Sequence, residues 1–306
     1  MGTPEFAVAS LDALVNADCN IVGVITAPDK PAGRGMQLQT SAVKKYATEK
    51  ELHILQPEKL KNSDFINQLK SLNADIQIVV AFRMLPEIVW NMPPMGTINV
   101  HASLLPNYRG AAPINWAIIN GEKETGITTF KLQQQIDTGN ILLQEKIAIG
   151  EKETAGELHD RLKILGAEVL LKTITLIAEE NVTEIPQSAI QNSPFTIHHS
   201  PLKPAPKILT ETCRINWNNT AEAIFNLIRG LSPYPTAFSF LDEKMLKIFF
   251  GEKEIINHNH ATGSVHTDNK TYLKIACTNG FIHCTDIQLQ GKKRMAVADF
   301  LRGYKI

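Results

Sequence analysis

Residues 75–101 read DIQIVVAFRMLPEIVWNMPPMGTINVH, and this stretch gives the clearest indication of the fold. Two short apolar runs within it, Asp75–Phe82 and Thr97–His101, read as buried strands. Helical patterns lie on either side, at Asp64–Leu72 and Pro113–Ile119. Strands that alternate with helices predict a mostly parallel sheet with helices on both faces, an α/β fold of the Rossmann-like kind.

The beginning of the chain departs from this pattern. Thr3 and Pro4 form a good helix start for a helix over Glu5–Val15, since the first can cap the helix and the second fits its first turn. In a βαβ unit that turn should follow a strand of about five or six residues, yet the sequence begins at Met1. Either the unit lacks its first strand or translation starts upstream, and we expect the second.

A second domain is indicated after residue 186. Residues 187–206 are polar and interrupted by prolines, which is typical of a linker. A helical pattern at Ala221–Arg229 follows, and short strands then recur at intervals, which predicts a small β-barrel. The predicted strands are Thr236–Leu241, Met245–Phe250, Tyr272–Cys277 and Gly280–Leu289. We therefore expect a catalytic domain over 1–186, a linker over 187–206 and a second domain over 207–306.

Composition narrows the class of protein. The chain is 43% hydrophobic and 20% charged, without an apolar run long enough to span a bilayer or a secretory signal. Its four cysteines are scattered, so we expect reduced thiols in a cytoplasmic protein and no metal site. We also expect no membrane association and a monomeric state. The net charge is zero, but residues 203–306 hold 14 Lys and Arg against 9 Asp and Glu, a charge of +5. This asymmetry is a weak indication of an anionic partner.

Three polar side chains are predicted to meet at one edge of the sheet. Asn99 and His101 close a predicted strand two residues apart, so they point to the same face at the edge where ligands of such sheets bind. Asp137 lies in the turn that follows a predicted strand over Gly126–Leu132. An amide, an imidazole and a carboxylate suit acyl transfer to an amine. On spacing alone, a core histidine and an ordinary turn remain the commoner interpretation.

The longer motif changes that balance. The run NVHASLLPNYRGAAP at 99–113, with IDTG at 136–139, resembles the signature of the 10-formyltetrahydrofolate-dependent formyltransferases. The resemblance implies that Asn99, His101 and Asp137 are catalytic and that 10-formyltetrahydrofolate is the co-substrate. It also implies a folate pocket walled by Phe82, Met84, Leu85, Ser103, Leu104, Leu105 and Pro106.

Segments outside the motif bear on the acceptor. GTPEFA at 2–7, APDKPAGRG at 27–35, and further stretches within 156–162, 205–207, 228–235 and 290–295 are similar to the members that formylate methionyl-initiator tRNA. That similarity implies an OB-like C-terminal barrel and tRNA contacts from Arg34, Lys44, Lys45, Lys207, Arg229, Lys292, Lys293 and Arg294. The sequence departs from the pattern at Met36 and Gln37, where basic residues are common, and at Asn140, where Asp is common.

Two alternatives stay open at this point. A formyltransferase of this type could act on a small amine, such as a sugar nucleotide or glycinamide ribotide, although the glycinamide enzymes typically lack a second domain. A protein of another class, a non-catalytic RNA-binding protein, could reuse the scaffold. Such a protein would have no reason to keep the amide, the imidazole and the carboxylate together.

Overall fold

The computed structural model describes residues 1–32, 37–191 and 201–306. The chain divides into two units. Unit 1 consists of Met1–Arg109, Gly126–Ile147 and His159–Lys203, and unit 2 of Gly110–Thr125, Ala148–Leu158 and Pro204–Ile306. Unit 2 thus includes two segments that the sequence division at residue 186 leaves in the first domain.

The helices of the described residues are α1 Glu5–Asn16, α2 Ala42–Glu49, α3 Ser63–Ser71, α4 Glu87–Trp90, α5 Pro113–Ile119, α6 Ala155–Ala178, α7 Gln187–Gln191, α8 Thr210–Cys213, α9 Ala221–Leu231 and α10 Val297–Gly303. The strands are β1 Val24–Ile25, β2 Lys30–Ala32, β3 Gln37–Gln39, β4 Ile54–Leu55, β5 Gln77–Val80, β6 Thr97–His101, β7 Glu124–Lys131, β8 Ile141–Ala148, β9 Ala237–Leu241, β10 Lys244–Ile255, β11 Val265–Thr267, β12 Leu273–Cys277, β13 Gly280–Leu289 and β14 Met295–Ala296.

The main sheet of unit 1 has the strand order β5-β6-β7-β8. β5 and β6 are parallel, as predicted, whereas β7 runs antiparallel to β6. α6 covers this sheet closely, because a Cβ atom added at Gly166 would lie 3.5 Å from side-chain atoms of both Val100 and Ile127. Phe130 and Ile98 on the strands are fully buried. The predicted α/β architecture is confirmed.

Met1 and Gly2 occupy the place where the sequence analysis expects a first strand. The Gly2 amide donates to the Ile25 carbonyl at 3.1 Å, and the Val80 amide donates to the Met1 carbonyl at 2.9 Å. These two residues join β1 to β5, with Gly2 bridging Val80 in the parallel sense. Alongside them lies an apolar cavity of about 180 Å³, lined by Ile21, Val22, Ile76, Ile78 and Ile174 among others.

Unit 2 is built on a curled antiparallel sheet with the order β11-β12-β13-β10-β9, and β14 pairs with β13. The register of β10 against β13 shifts on either side of Phe250, which marks a bulge where the long strand bends. α9 packs its apolar face on this sheet and buries Ile224, Ile228 and Leu231. Its first turn is capped by the Thr220 hydroxyl, which accepts from the Ala223 amide. The predicted OB-like character is confirmed.

The predicted linker is packed at both of its described ends. Gln187 begins α7 and is only 3% exposed, and Ala205 is fully buried. The Ala205 carbonyl accepts from the Ala112 amide at 3.2 Å, so residues on each side of 192–200 are held by backbone hydrogen bonds or burial. Across the described residues, we find no helix of the length and apolarity that crossing a bilayer requires.

Candidate active site

β6 presents Asn99 and His101 in alternate, same-face positions. In the backbone register Asn99 lies opposite Phe130 and His101 opposite Thr128, so neighbouring strands fix both residues. His101 is 6% exposed, whereas Asn99 is half-buried. Within the part of the chain that the structure describes, the Asn99 side-chain amide has no hydrogen-bond partner. It is therefore available to a ligand.

The hydrogen bond of His101 defines which edge of its ring can react. Nε2 lies 2.8 Å from the Tyr108 carbonyl oxygen. A carbonyl only accepts, so Nε2 carries a hydrogen and Nδ1 holds the lone pair of the neutral ring. Nδ1 lies 3.9 Å from Oδ2 of Asp137. That separation is longer than a hydrogen bond, so a donor of suitable size could bridge the two atoms.

Asp137 reaches this position through an unusual turn. Its φ angle is 52°, in the left-handed region that aspartate tolerates better than most residues. The side chain is 12% exposed and faces a histidine that is itself nearly inaccessible. The structure therefore brings His101 and Asp137 together as the sequence predicts, in the same unit as Asn99.

Family models match along most of the chain. The model described as formyl transferase matches residues 1–174, and the model described as formyl transferase, C-terminal domain, matches residues 207–305. The chain belongs to the formyltransferase family.

Sequence relatives agree with that assignment, and solved structures share the fold. The methionyl-tRNA formyltransferases of Parabacteroides distasonis and Phocaeicola vulgatus are 52% and 54% identical, and each alignment covers 100% of this chain and 94% of the relative. The sugar 3N-formyl transferase WlaRD shares the fold with a TM-score of 0.67 at 22% identity, over 95% of this chain and 97% of that structure. The N-formyltransferase of Helicobacter canadensis gives 0.65 at 20%, over 96% and 97%.

In this formyltransferase, the hydroxyl of Thr128 makes hydrogen bonds to the backbone of the loop at residues 103–106. Thr128 Oγ1 donates to the Ser103 carbonyl at 2.6 Å and accepts from the Leu105 amide at 3.2 Å. It also accepts from Gln144 Nε2 at 2.8 Å, and the same Nε2 donates to the Leu105 carbonyl. The side chains of Ser103, Leu105 and Pro106 are buried, and Leu104 is half-buried. The backbone of this loop is therefore held in place by Thr128 and Gln144.

The second predicted wall, residues 82–86, divides between core and surface. Leu85 is buried and Phe82 packs against the same cluster, whereas Met84 is 72% exposed. Arg83 anchors the loop by donating from Nη1 to the Glu58 carbonyl at 2.7 Å and from Nη2 to the Pro57 carbonyl. Of the three predicted residues, Met84 is the one that presents a large apolar side chain to solvent.

The residues predicted to contact tRNA differ in whether they already form ion pairs with carboxylates. Arg34 lies outside the described residues. Lys44 forms an ion pair with Asp29 and holds the pKa of that carboxyl below its ordinary value, together with Gln56. Arg294 forms an ion pair with Asp286. The remaining lysines are exposed and have no ion-pair partner among the described residues: Lys45, Lys207, Lys292 and Lys293.

Arg229, a predicted tRNA contact, is buried in the structure. It is 3% exposed, and its Nε donates to Asn226 Oδ1 at 2.9 Å. Its Nη1 donates to the carbonyls of Gly150 and Glu153 at 3.3 and 3.2 Å. Burial lowers the pKa of its guanidinium. The residue therefore ties α9 to residues 150–153 within unit 2.

Several residues that shape the site escaped the sequence analysis. Thr128, Gln144 and Gln187 make their contacts with residues 16 to 78 positions away, so no local pattern indicates them. Tyr108 belongs to the quoted motif, but it acts through its backbone carbonyl. Among the described residues, no group of three or more His, Cys, Asp or Glu side chains is placed to hold a metal ion.

Proposed function

We propose that this enzyme transfers a formyl group from 10-formyltetrahydrofolate to the free amino group of methionyl-initiator tRNA, giving formylmethionyl-tRNA. The observation that carries the proposal is the 3.9 Å separation between His101 Nδ1 and Asp137 Oδ2, with Asn99 two residues before His101 on the same face of β6. Relatives named for this reaction are 50–54% identical over 99–100% of the chain, which supports the same acceptor here.

The gap suits an attacking amine. Both Nδ1 and the Asp137 carboxylate are acceptors in the resting state, so an amine between them can donate a hydrogen bond to each. Its lone pair is then directed at the formyl carbon. Proton uptake at Nδ1 gives the ring a second N–H, next to the carboxylate.

Charge on the formyl oxygen is the second requirement. The Asn99 amide and the Nδ1–H of His101 are donors that stabilise the tetrahedral oxyanion. As the new carbon–nitrogen bond forms and the bond to N10 breaks, one proton leaves the amine. Asp137 and His101 pass it toward N10 of the folate, so no net charge or proton is gained.

We propose that the folate binds beside Asn99, His101 and Asp137. The half-buried, unpartnered Asn99 amide is a donor for its formyl oxygen, and the exposed Met84 side chain gives its ring system an apolar contact. We propose that the backbone of residues 103–106 forms one wall and residues 82–86 the other, with Phe82, Leu85, Ser103, Leu105 and Pro106 shaping the walls from within and Leu104 half-exposed. The steps proposed above require no metal ion.

Lysines supply the proposed tRNA grip. Lys45, Lys207, Lys292 and Lys293 are exposed and can contact phosphates, and such contacts make affinity salt-dependent. Arg34, Lys44 and Arg294 add to them, the last two after release from their carboxylate partners. We propose that residues 1–186 carry the chemistry and residues 207–306 most of the tRNA affinity, and that the enzyme works as a cytoplasmic monomer.

Acceptor choice tests the proposal. The enzyme is incubated with 10-formyltetrahydrofolate and either methionyl-initiator tRNA or a panel of amino-sugar nucleotides, and products are identified by mass. We expect formylation of the tRNA-bound methionine at a kcat/KM at least a hundredfold above that for any sugar. Formylation of a sugar alone would overturn the assignment. Formylation of neither, with intact folate binding, would favour a non-catalytic RNA-binding role.

A further inference from the structure

Gln187 lies against the backbone of the turn that carries Asp137. Its Nε2 donates to the Asp137 carbonyl and to the Gly139 carbonyl, both at 2.9 Å. The residue is 3% exposed, so these hydrogen bonds are shielded from water. One amide nitrogen therefore uses both of its hydrogens to hold two carbonyls of the same four-residue turn.

Arg109 fixes the orientation of that amide. Its Nε and Nη2 donate to Gln187 Oε1 at 3.0 and 2.5 Å. Because guanidinium only donates, the oxygen of the amide must face Arg109 and the nitrogen must face the turn. Burial lowers the pKa of Arg109, and the negative charge of Asp137 counteracts that shift, which places the two charges within electrostatic reach.

The turn has a reason to need support. Asp137 holds a φ angle of 52°, a conformation that costs a non-glycine residue free energy. Gly139 packs so tightly that an added Cβ would lie 1.6 Å from the Lys131 carbonyl oxygen. The turn is thus pinned at Gly139 by packing, while at Asp137 the described contact to its carbonyl comes from Gln187.

We propose that Gln187, oriented by Arg109, is a positioning residue that sets the distance between the Asp137 carboxylate and His101 Nδ1. The inference rests on the proposed function, because it deepens the role given to Asp137 there. Gln187 touches neither substrate nor reacting atoms in this account. Its effect passes entirely through the turn.

The test is a double-mutant cycle on kcat for formyl transfer. Gln187→Met keeps the length of the side chain and removes both donors. In the wild-type background we expect kcat to fall about 10- to 100-fold, since a displacement of about 1 Å in a catalytic group has an effect of that size. The KM for folate should stay within threefold. In an Asp137→Ala background the same substitution should change the residual kcat by less than twofold.

Two further variants keep the result decisive. Ser188→Ala alters the next, exposed residue of α7 and should leave kcat unchanged in both backgrounds. Gln187→Glu keeps the pairing with Arg109 but replaces the donating nitrogen with an acceptor, so it should reproduce the decrease in kcat. If Gln187→Met does not fold, Gln187→Glu takes its place in the double-mutant cycle. Equal losses in both backgrounds, or a loss under threefold in the wild-type background, would overturn the proposal.

The outcome is separable from that of the proposed function. If the wild-type enzyme formylates an amino sugar and not methionyl-tRNA, the proposed acceptor is wrong, and the cycle is run with the sugar. A non-additive result there would still establish the role of Gln187. An additive result with tRNA as acceptor would refute the role of Gln187 and leave the acceptor assignment standing.

Discussion

Replacing Thr128 with valine should loosen the 103–106 loop without changing the shape of the core. Valine matches threonine in volume but has no hydroxyl. The substitution leaves the Ser103 carbonyl without its 2.6 Å donor and the Leu105 amide without its 3.2 Å acceptor. Gln144 retains its bond to the Leu105 carbonyl, so two buried groups lose their described partners.

The expected magnitude follows from those two groups. A buried polar group left unsatisfied costs about 1–3 kcal/mol, so the free energy of unfolding should fall by about 3 kcal/mol. For a unit of this size that corresponds to a decrease in Tm of about 6–12 °C. The loop must also be ordered when ligand binds, so we expect the Kd for a formylfolate to rise at least about tenfold.

Thr129→Val is the matched control. Thr129 is equally buried, but its hydroxyl lies 2.8 Å from Thr173 Oγ1 on α6 and has no contact with the loop among the described residues. It should lose stability while its folate affinity stays within twofold of wild type. Urea unfolding gives the stability, and titration with 5-formyltetrahydrofolate gives the Kd. If both variants bind folate equally well, the proposed role of the loop is refuted.

Three other predictions concern separate features. Arg229→Met should lower the free energy of unfolding, measured in urea, by about 3 kcal/mol, because buried carbonyl acceptors lose their cationic donor. The affinity for tRNA should change less than threefold, and a large loss of affinity with intact stability would contradict the structural role of Arg229. Lys292→Ala combined with Lys293→Ala should weaken tRNA binding several-fold at low salt in a filter-binding assay, with Tm unchanged. The difference in affinity from wild type should shrink at high salt, and a salt-independent loss would argue against phosphate contacts. Burial raises the pKa of Cys284 to about 12, so its thiol stays protonated at pH 8 and should resist iodoacetamide in the native enzyme. Peptide mass spectrometry should show that the partly exposed Cys19 reacts first. Labelling of Cys284 before Cys19 would contradict the buried placement of Cys284.

Helices and strands whose own sequence shows a clear pattern of apolar residues could be predicted well. β6, α5 and β13 have the predicted bounds, since each is an apolar run bounded by glycine, proline or turn residues. The apolar run IVGVITA at 21–27 is typical of a buried strand, but it forms one only at Val24–Ile25, where it pairs with β4 and accepts a hydrogen bond from Gly2. Periodicity describes which face of a segment is apolar, but it does not say how long its neighbour is.

In the site, too, features that a sequence pattern indicates could be predicted, and features that depend on distant contacts could not. The proximity of His101 and Asp137 could be predicted, because the family motif includes both and each lies at or after the end of a predicted strand. The buried state of Arg229 could not, since a helix pattern does not reveal that residues 150–153 present carbonyls to its guanidinium. Gln187 falls at the start of a stretch whose composition is typical of a linker, yet its amide holds a turn 50 residues earlier in the chain.

Single-turnover transfer from 10-formyltetrahydrofolate to methionyl-initiator tRNA tests the central claim most directly. The wild-type enzyme is compared with Asn99→Ala, His101→Ala and Asp137→Ala, with folate and tRNA saturating and the formylated product quantified over time. We expect each variant to bind both substrates nearly as wild type and to transfer at least about a hundredfold more slowly. A variant that transfers at the wild-type rate would show that the side chain it lacks has no part in the chemistry.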